Sequence, residues 1–349
     1  MTVLVTGAAG FLGGHVVDFL HERGERVRAF ARPGEDTTRI ESLGVEVCRG
    51  DLTDEATVRD AVKDTRWVMH CAAKTGPWGP MDEYIAANVT GLRVLALAAI
   101  AAGVERFIHV SSITVHGNDV RGTANESSPM PGAPNPYSRT KLAGERIVAD
   151  LISTRNAPIT IVRPGWIYGP RDAASFGRFA SMIEHGKMIV MGSGKNVIPL
   201  VHARDVALGM TLAAEKPEAI GGTYLLVSDE RVTQSRYLND IASELGVAPP
   251  RIHIPYRGAL ALGIASESAF KALGIRRAPP LTRYGLEVLG GENRFDISRA
   301  RRELGFAPSI PFADGVRESV AWYRSAAQSS LAAPASQATA AQQSAAWKA

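Results

Sequence analysis

The sequence predicts an α/β protein, a doubly wound parallel sheet with a smaller C-terminal lobe. Three observations predict it. The chain opens on a strand, a glycine turn and a helix; strand-like and helix-like segments then alternate to about residue 160; and beyond Arg163 the alternation loosens into loops rich in proline and glycine. A length of 349 residues suits one large domain or a domain with an appended lobe. The expected boundaries are 1–165, mainly a dinucleotide-binding unit, and 166–324, mainly a substrate lobe interleaved with the last sheet strands. The Ala/Ser/Gln-rich tail, 325–349, is expected to be disordered or only weakly helical.

Thr2-Val-Leu-Val-Thr6 is a run of β-formers, followed by Gly7-Ala-Ala-Gly10-Phe11-Leu12-Gly13-Gly14 and a helical pattern that ends at Arg23, before Gly24. Gly7 permits the tight turn, Gly10 lets backbone amides approach a pyrophosphate, and Gly13 lets the helix pack closely on the strand. The phosphate would sit at the helix N-terminus, with Phe11 and Leu12 completing the cofactor turn. The second strand, Arg26 to Ala31, is followed by Arg32, while the first acids, Glu35 and Asp36, lie beyond Pro33-Gly34. An arginine at that point accommodates a 2′-phosphate, which favours NADP. NAD stays possible if Arg32 is a solvated loop residue and Asp36 reaches the ribose. Asp51, at the end of the third strand, can accept from an adenine amino group or cap a helix, a role open equally to Thr53 or Asp54.

Tyr137 and Lys141 stand about one helical turn apart, on the same face. A cation beside a phenol favours phenolate and draws the tyrosine from its usual value of about 10 toward neutrality, where it can exchange a proton. Taken alone, Tyr-x-x-x-Lys is more often a surface pair; the glycine turn reverses that reading.

Further landmarks join these. They are His70-Cys-Ala72-Ala73 at a strand end, Asn88 on a helix, Val110-Ser111-Ser112 at another strand end, Arg163-Pro164-Gly-Trp-Ile-Tyr-Gly-Pro170, Val201-His-Ala-Arg-Asp205 and Phe295 to Pro308. From residue 1 to about residue 324 the set resembles the extended short-chain dehydrogenases/reductases, the NAD-dependent epimerase/dehydratase superfamily with a Rossmann sheet. The likeness implies that Tyr137 is the general acid/base, that Lys141 tunes it and holds the nicotinamide ribose, and that Ser112 orients the carbonyl. It adds Leu52, Ala72, Ala73 and Pro164 to the cofactor-binding residues. It gives Asn88 and Ser111 structural places near the site, and it implies a homodimer through the helices bearing Asn88 and Tyr137.

Composition fits this reading. The apolar fraction is 45% and the charged fraction 21%, and the formal charge of +4 is scattered, so nucleic acid is not an expected partner. Cys48 and Cys71 fall in or at the ends of predicted buried strands, as small core residues rather than a disulfide. No Cys/His cluster has metal-ligand spacing, so no metal is expected. The first strand begins at once, without a leader, and the apolar runs 94–102 and 258–265 are short against the roughly 20 residues of a membrane span. A cytoplasmic protein with no integral span is expected, with the second run forming a buried or interfacial helix.

Substrate is read from departures and additions. Sugar dehydratases of the resembled family place acids after the hydroxyl residue, where this chain has Ile113-Thr114. Nucleotide-sugar epimerases carry an asparagine where Trp166 stands and an arginine where Ile198 stands. The loop from Ala73 to Tyr84, with Pro280-Leu-Thr-Arg-Tyr284, resembles those of 3β-hydroxysteroid dehydrogenase-like and 2-alkyl-3-oxoalkanoate reductase-like members. Trp78, Met81 and Trp166 can line an apolar pocket or belong to the lobe core; Lys74 can meet a carboxylate or be solvated. The expected function is NAD(P)-dependent interconversion of a secondary alcohol and a ketone on a bulky, mostly apolar small molecule. A nucleotide-sugar 4-epimerase with tightly bound NAD and a non-catalytic NADP sensor are the alternatives.

Overall fold

A computed structural model describes residues 2–275 and 277–332. Seven strands form one sheet: β1 (Thr2–Thr6), β2 (Arg26–Ala31), β3 (Glu46–Arg49), β4 (Thr65–His70), β5 (Arg106–Val110), β6 (Ile159–Pro164) and β7 (Thr223–Leu226). Their order is β7-β6-β5-β4-β1-β2-β3 and every pairing is parallel. This is the expected doubly wound sheet. The order reverses beside β1, which pairs with β2 on one side and β4 on the other, and such a switch point opens a crevice at the strands' carboxyl ends.

β1 and β6 are buried along their whole length, as continuous apolar strands covered on both faces must be. Val3 and Val5 point to one face and pack with Val16, Val17 and Leu20 of α1 (Phe11–Glu22). Leu4 points to the other and packs with Leu92 and Leu95 of α2 (Met81–Ala101) and with Val148 and Leu151 of α3 (Pro136–Arg155). α4 (Ala203–Glu215) completes the first face through Val206 and Met210.

The helix α2 corrects one expectation. The 94–102 run, all but its last residue, belongs to a continuous 21-residue helix that passes through a π turn at Ala86–Thr90, long and apolar enough to cross a membrane by length and composition. Its Leu92, Leu95, Ala96 and Ala99 are spent on the core of the sheet domain.

A third core belongs to the C-terminal lobe. In α5 (Gln234–Leu245) the apolar face Tyr237, Leu238, Ile241, Ala242 and Leu245 is buried; Thr233 caps the start and Gly246, at φ +69°, the end. α6 (Tyr256–Ala272) and α7 (Arg283–Gly290) follow, and α8 (Phe312–Ala332) closes the lobe with Phe312, Val316 and Val320. α8 carries helix through 325–332, where a disordered or weakly helical tail was expected, because the alanines and polar residues there continue the turn without a breaker. Residues 333–349 lie outside the described residues.

Candidate active site

The crevice begins at the glycine turn. Gly7 has φ +66°, and a Cβ there would sit 2.8 Å from the Ala72 Cα; a Cβ on Gly13 would sit 2.1 Å from the Gly7 carbonyl oxygen. Only glycine lets α1 start this close to β1 and β4. Gly10 is the exposed N-cap, without a side-chain cap and with no acid in the first turn. The first-turn amides, those of Phe11 and Leu12 among them, therefore remain as donors at the positive end of the helix. This cradle fits a dinucleotide pyrophosphate.

At the crevice's far edge Arg32 is exposed and bonded to Glu35, its Nε 2.9 Å from Oε1. Asp36 accepts from the Thr38 amide at 3.0 Å, an interaction that lowers its pKa. Asp51 accepts from the Thr53 amide at 2.8 Å and the Thr53 hydroxyl at 2.6 Å, while Asp54 is the helix cap. Asp51 and Arg32 are near enough for the arginine's charge to help hold the carboxyl low. The sequence reading passed over Arg39, which pairs with Asp18 of α1 and comes within 3.0 Å of where a Gly14 Cβ would stand.

Asn135 and Pro136 set the start of α3. The Asn135 side chain accepts from the Ser138 amide at 2.9 Å, and Pro136 has no amide to leave unpaired. Ser138 in turn donates its hydroxyl to the Thr114 carbonyl at 2.8 Å, so the turn bearing Tyr137 is fastened to the segment just after Ser112. The Ser112 hydroxyl accepts from the Thr114 amide at 3.2 Å and pairs with the Tyr137 phenol. Lys141 is buried; its ammonium donates to the Val110 carbonyl at 2.8 Å and lies 5.8 Å from the centre of the Tyr137 ring.

The electrostatics differ from expectation. Burial pushes the Tyr137 phenol up to about 12, eased by the bond to Ser112. Burial lowers Lys141 to about 8, against the opposing pull of Cys71 and Glu145. The ammonium is directed at a backbone carbonyl and the ring face, so its charge does not offset the desolvation of the phenol oxygen.

Beneath this pair lies a buried network that the sequence reading missed. Arg163 donates to both Glu145 oxygens, at 2.9 and 2.6 Å, and Ser111 donates to Glu145 at 2.5 Å. The Arg163 guanidinium also meets His116 Nε2 at 3.1 Å. The signal was in the spacing, since Tyr137, Lys141 and Glu145 recur every four residues on one face of α3. Asn88 ties the loop after β4 to α3: its side chain accepts from the Lys74 amide at 2.7 Å and donates to the Thr140 hydroxyl at 3.0 Å.

Beside the first turn of α3 a cavity of about 380 Å³ is bounded by Trp78, Met81, Arg139, Phe270, Lys271 and Tyr284. Burial raises the Tyr284 phenol, and the cavity's lining by Asn135, Pro136 and Arg139 sets it against the turn of α3 that bears Tyr137. Of the expected substrate residues Trp78 and Met81 line the cavity, and Lys74 and Trp166 do not. Lys74 pairs with Glu83 at 2.5 Å, and Trp166 donates to the Ser175 hydroxyl at 2.8 Å while packing on Phe179 and Tyr237 in the lobe core. Cys48 and Cys71 are free thiols, and burial pushes Cys71 up to about 12.

Residues 3–226 match the model of the NAD dependent epimerase/dehydratase family. The chain belongs to that family. Sterol demethylase protein B of Methylococcus capsulatus is 36% identical, over 93% of this chain and 98% of its own. The 2-alkyl-3-oxoalkanoate reductase of Shewanella oneidensis is 30% identical, over 90% and 84% respectively. In fold, the chain superposes with TM-score 0.74 on UDP-glucuronic acid 4-epimerase from Bacillus cereus in complex with NAD, at 23% identity over 93% and 99% of the two chains. Membership makes the chain an enzyme of the NAD-dependent oxidoreductase/epimerase class.

Proposed function

We propose that this enzyme is an NADP-preferring reductase or dehydrogenase that interconverts a secondary alcohol and a ketone on a bulky, mostly apolar substrate, steroid-like or of the β-hydroxy/β-keto acid type. The observation that carries the reading is the Ser112/Tyr137 hydroxyl pair beside a cavity walled by Trp78, Met81 and Phe270. The bound nicotinamide supplies the hydride. Ser112 donates to the carbonyl oxygen, where negative charge grows, and Tyr137 delivers the proton to that oxygen. A phenol that stays protonated up to about 12 before cofactor binds is suited to the reductive direction. Lys141, clamped at Val110, holds the ribose.

The NADP preference is supported by Arg32, the first charged side chain after β2, and by Asp36, whose carboxylate is engaged with Thr38 instead of facing a ribose. A homodimer and a cytoplasmic location are parts of the same reading. The epimerase alternative draws on the fold likeness to the UDP-glucuronic acid enzyme. Against it, Ile198 is an apolar residue in the core, and Trp166 is turned into the lobe, so neither offers a diphosphate anchor. The sensor alternative is weakened by the presence of serine, tyrosine and lysine together.

The test is a fluorescence titration of purified protein with NADPH and NADH, followed by addition of a steroid alcohol or ketone, a β-keto acid and a UDP-sugar in turn. NADPH preference and an absorbance change with an apolar substrate are expected. Retained NAD with turnover of the UDP-sugar alone would establish the epimerase instead, and binding without turnover the sensor.

A further inference from the structure

The helix α6 is packed into the lobe by very little of its surface. Of its 17 residues only Ala259 and Gly263 are buried. Gly258, Ala261, Leu262, Ala265, Ala269 and Ala272 recur at the three- and four-residue spacing of one helical stripe, and all are exposed. Leu262 is 64% exposed, and Leu273 just past the helix 73%; Ile264, Ile275 and Leu281 extend the patch at 43%, 38% and 36%. A contiguous surface of this kind marks an interaction site.

Charge selects the partner. Arg257 and Lys271 lie on one edge of the stripe, seven residues either side of Ile264, and Arg277 follows in the next loop, all exposed. None of the three has an ion-pair partner among the described residues. The one acid of the helix, Glu267, turns inward to accept from the Arg283 amide at 2.7 Å. An apolar stripe with a basic edge is the pattern of a helix lying in a membrane interface. Two-fold contact with a second copy would instead bring these cations toward their own equivalents. The same segment borders the cavity through Phe270, Lys271 and Ile275, so the cavity opens beside the patch.

We propose that the exposed face of α6 and the Leu273–Ile275 turn is a docking surface for an anionic lipid bilayer, on which the enzyme lies peripherally with its substrate cavity opening at lipid level. Docking stands on the patch alone; delivery of substrate from the bilayer rests on the apolar-substrate reading.

The full-length protein is mixed with phosphatidylcholine vesicles, with and without phosphatidylglycerol, and binding is scored by flotation at low and high salt. Binding to the phosphatidylglycerol vesicles is expected, weakened at high salt and reduced at least about tenfold by Leu262→Glu/Leu273→Glu. The melting temperature and NADPH affinity of that variant stay at the wild-type values; Leu262→Gln serves as a milder variant if the double one fails to fold. Absence of vesicle binding, or binding that the substitutions leave intact, overturns the proposal. So does a dimer in size-exclusion chromatography that the same substitutions dissociate, which makes the patch a protein interface. Flotation is read without turnover, so failure of docking and failure of the apolar-substrate reading are separate results.

Discussion

The Lys141 ammonium is held by the Val110 carbonyl, 2.8 Å away, and meets the Tyr137 ring by its face, 5.8 Å from the centre. The bond ties α3 to the end of β5 across the helix–sheet interface, so the lysine fixes geometry as well as charge. Lys141→Met keeps the length of the side chain and removes both. Loss of a buried charged hydrogen bond is worth about 1.5–3 kcal/mol, so NADPH affinity should fall about tenfold or more. Turnover should fall further, because a ribose held loosely no longer sets the nicotinamide against Ser112 and Tyr137. Stopped-flow binding and steady-state assays separate the two effects.

Tyr137→Phe removes only a hydroxyl. Turnover should drop about 10²- to 10⁴-fold, the range for loss of an acid/base group, while NADPH affinity stays within a few-fold. The variant also has a signature away from activity. In the folded protein the phenol is held up to about 12, above its ordinary value of 10. Its stabilising contribution is therefore present below pH 10 and lost as pH rises through about 12. Alkaline unfolding curves should be shallower for the phenylalanine variant, and near-full activity in it would remove Tyr137 from the mechanism.

What the sequence made legible was local. Gly7 and Gly13 are readable because a backbone approach that a Cβ would block leaves one residue type. Tyr137 and Lys141 are readable because helical spacing alone puts them on one face. What stayed hidden depends on distant partners. Glu145 meets Arg163 and Ser111 only when β5, β6 and α3 are assembled. Trp166 was a pocket candidate by size, yet the strand Trp166–Tyr168 pairs with Leu200–His202 and directs the indole into the lobe core. The lowering of Tyr137 expected from its lysine failed for the same reason, because burial and the Val110 carbonyl are absent from a helical wheel.

The Glu145/Arg163 pair is almost fully buried, at 6% and 4% side-chain exposure. Glu145→Gln strands the guanidinium without its counter-charge and should cost about 3–5 kcal/mol in urea unfolding. Removing both charges with Glu145→Gln/Arg163→Met should cost less than the sum of the two single changes. Strict additivity would show that the two groups do not act as a unit.

Acid should weaken the sheet domain through His70. Its ring is buried, bonded to the Thr6 hydroxyl at 2.8 Å and stacked 5.6 Å from His109, whose two nitrogens have no hydrogen-bond partner among the described residues. Burial, with Lys141 close by, lowers His70 from 6.5 to about 3 and holds His109 well below its ordinary value. The unfolded chain therefore binds protons that the folded one refuses in the window between pH 6.5 and about 3. Stability rises with pH through that window and is lost as pH falls through it, at up to about 1.4 kcal/mol per pH unit for each histidine. His70→Leu keeps the apolar stacking surface and removes one such proton. The stability lost by the wild type between pH 7 and pH 5 should shrink by about 2 kcal/mol in the variant, measured by urea unfolding at the two values. An unchanged pH slope would mean that His70 takes up its proton alike in the folded and the unfolded chain, so that its burial does not hold it neutral.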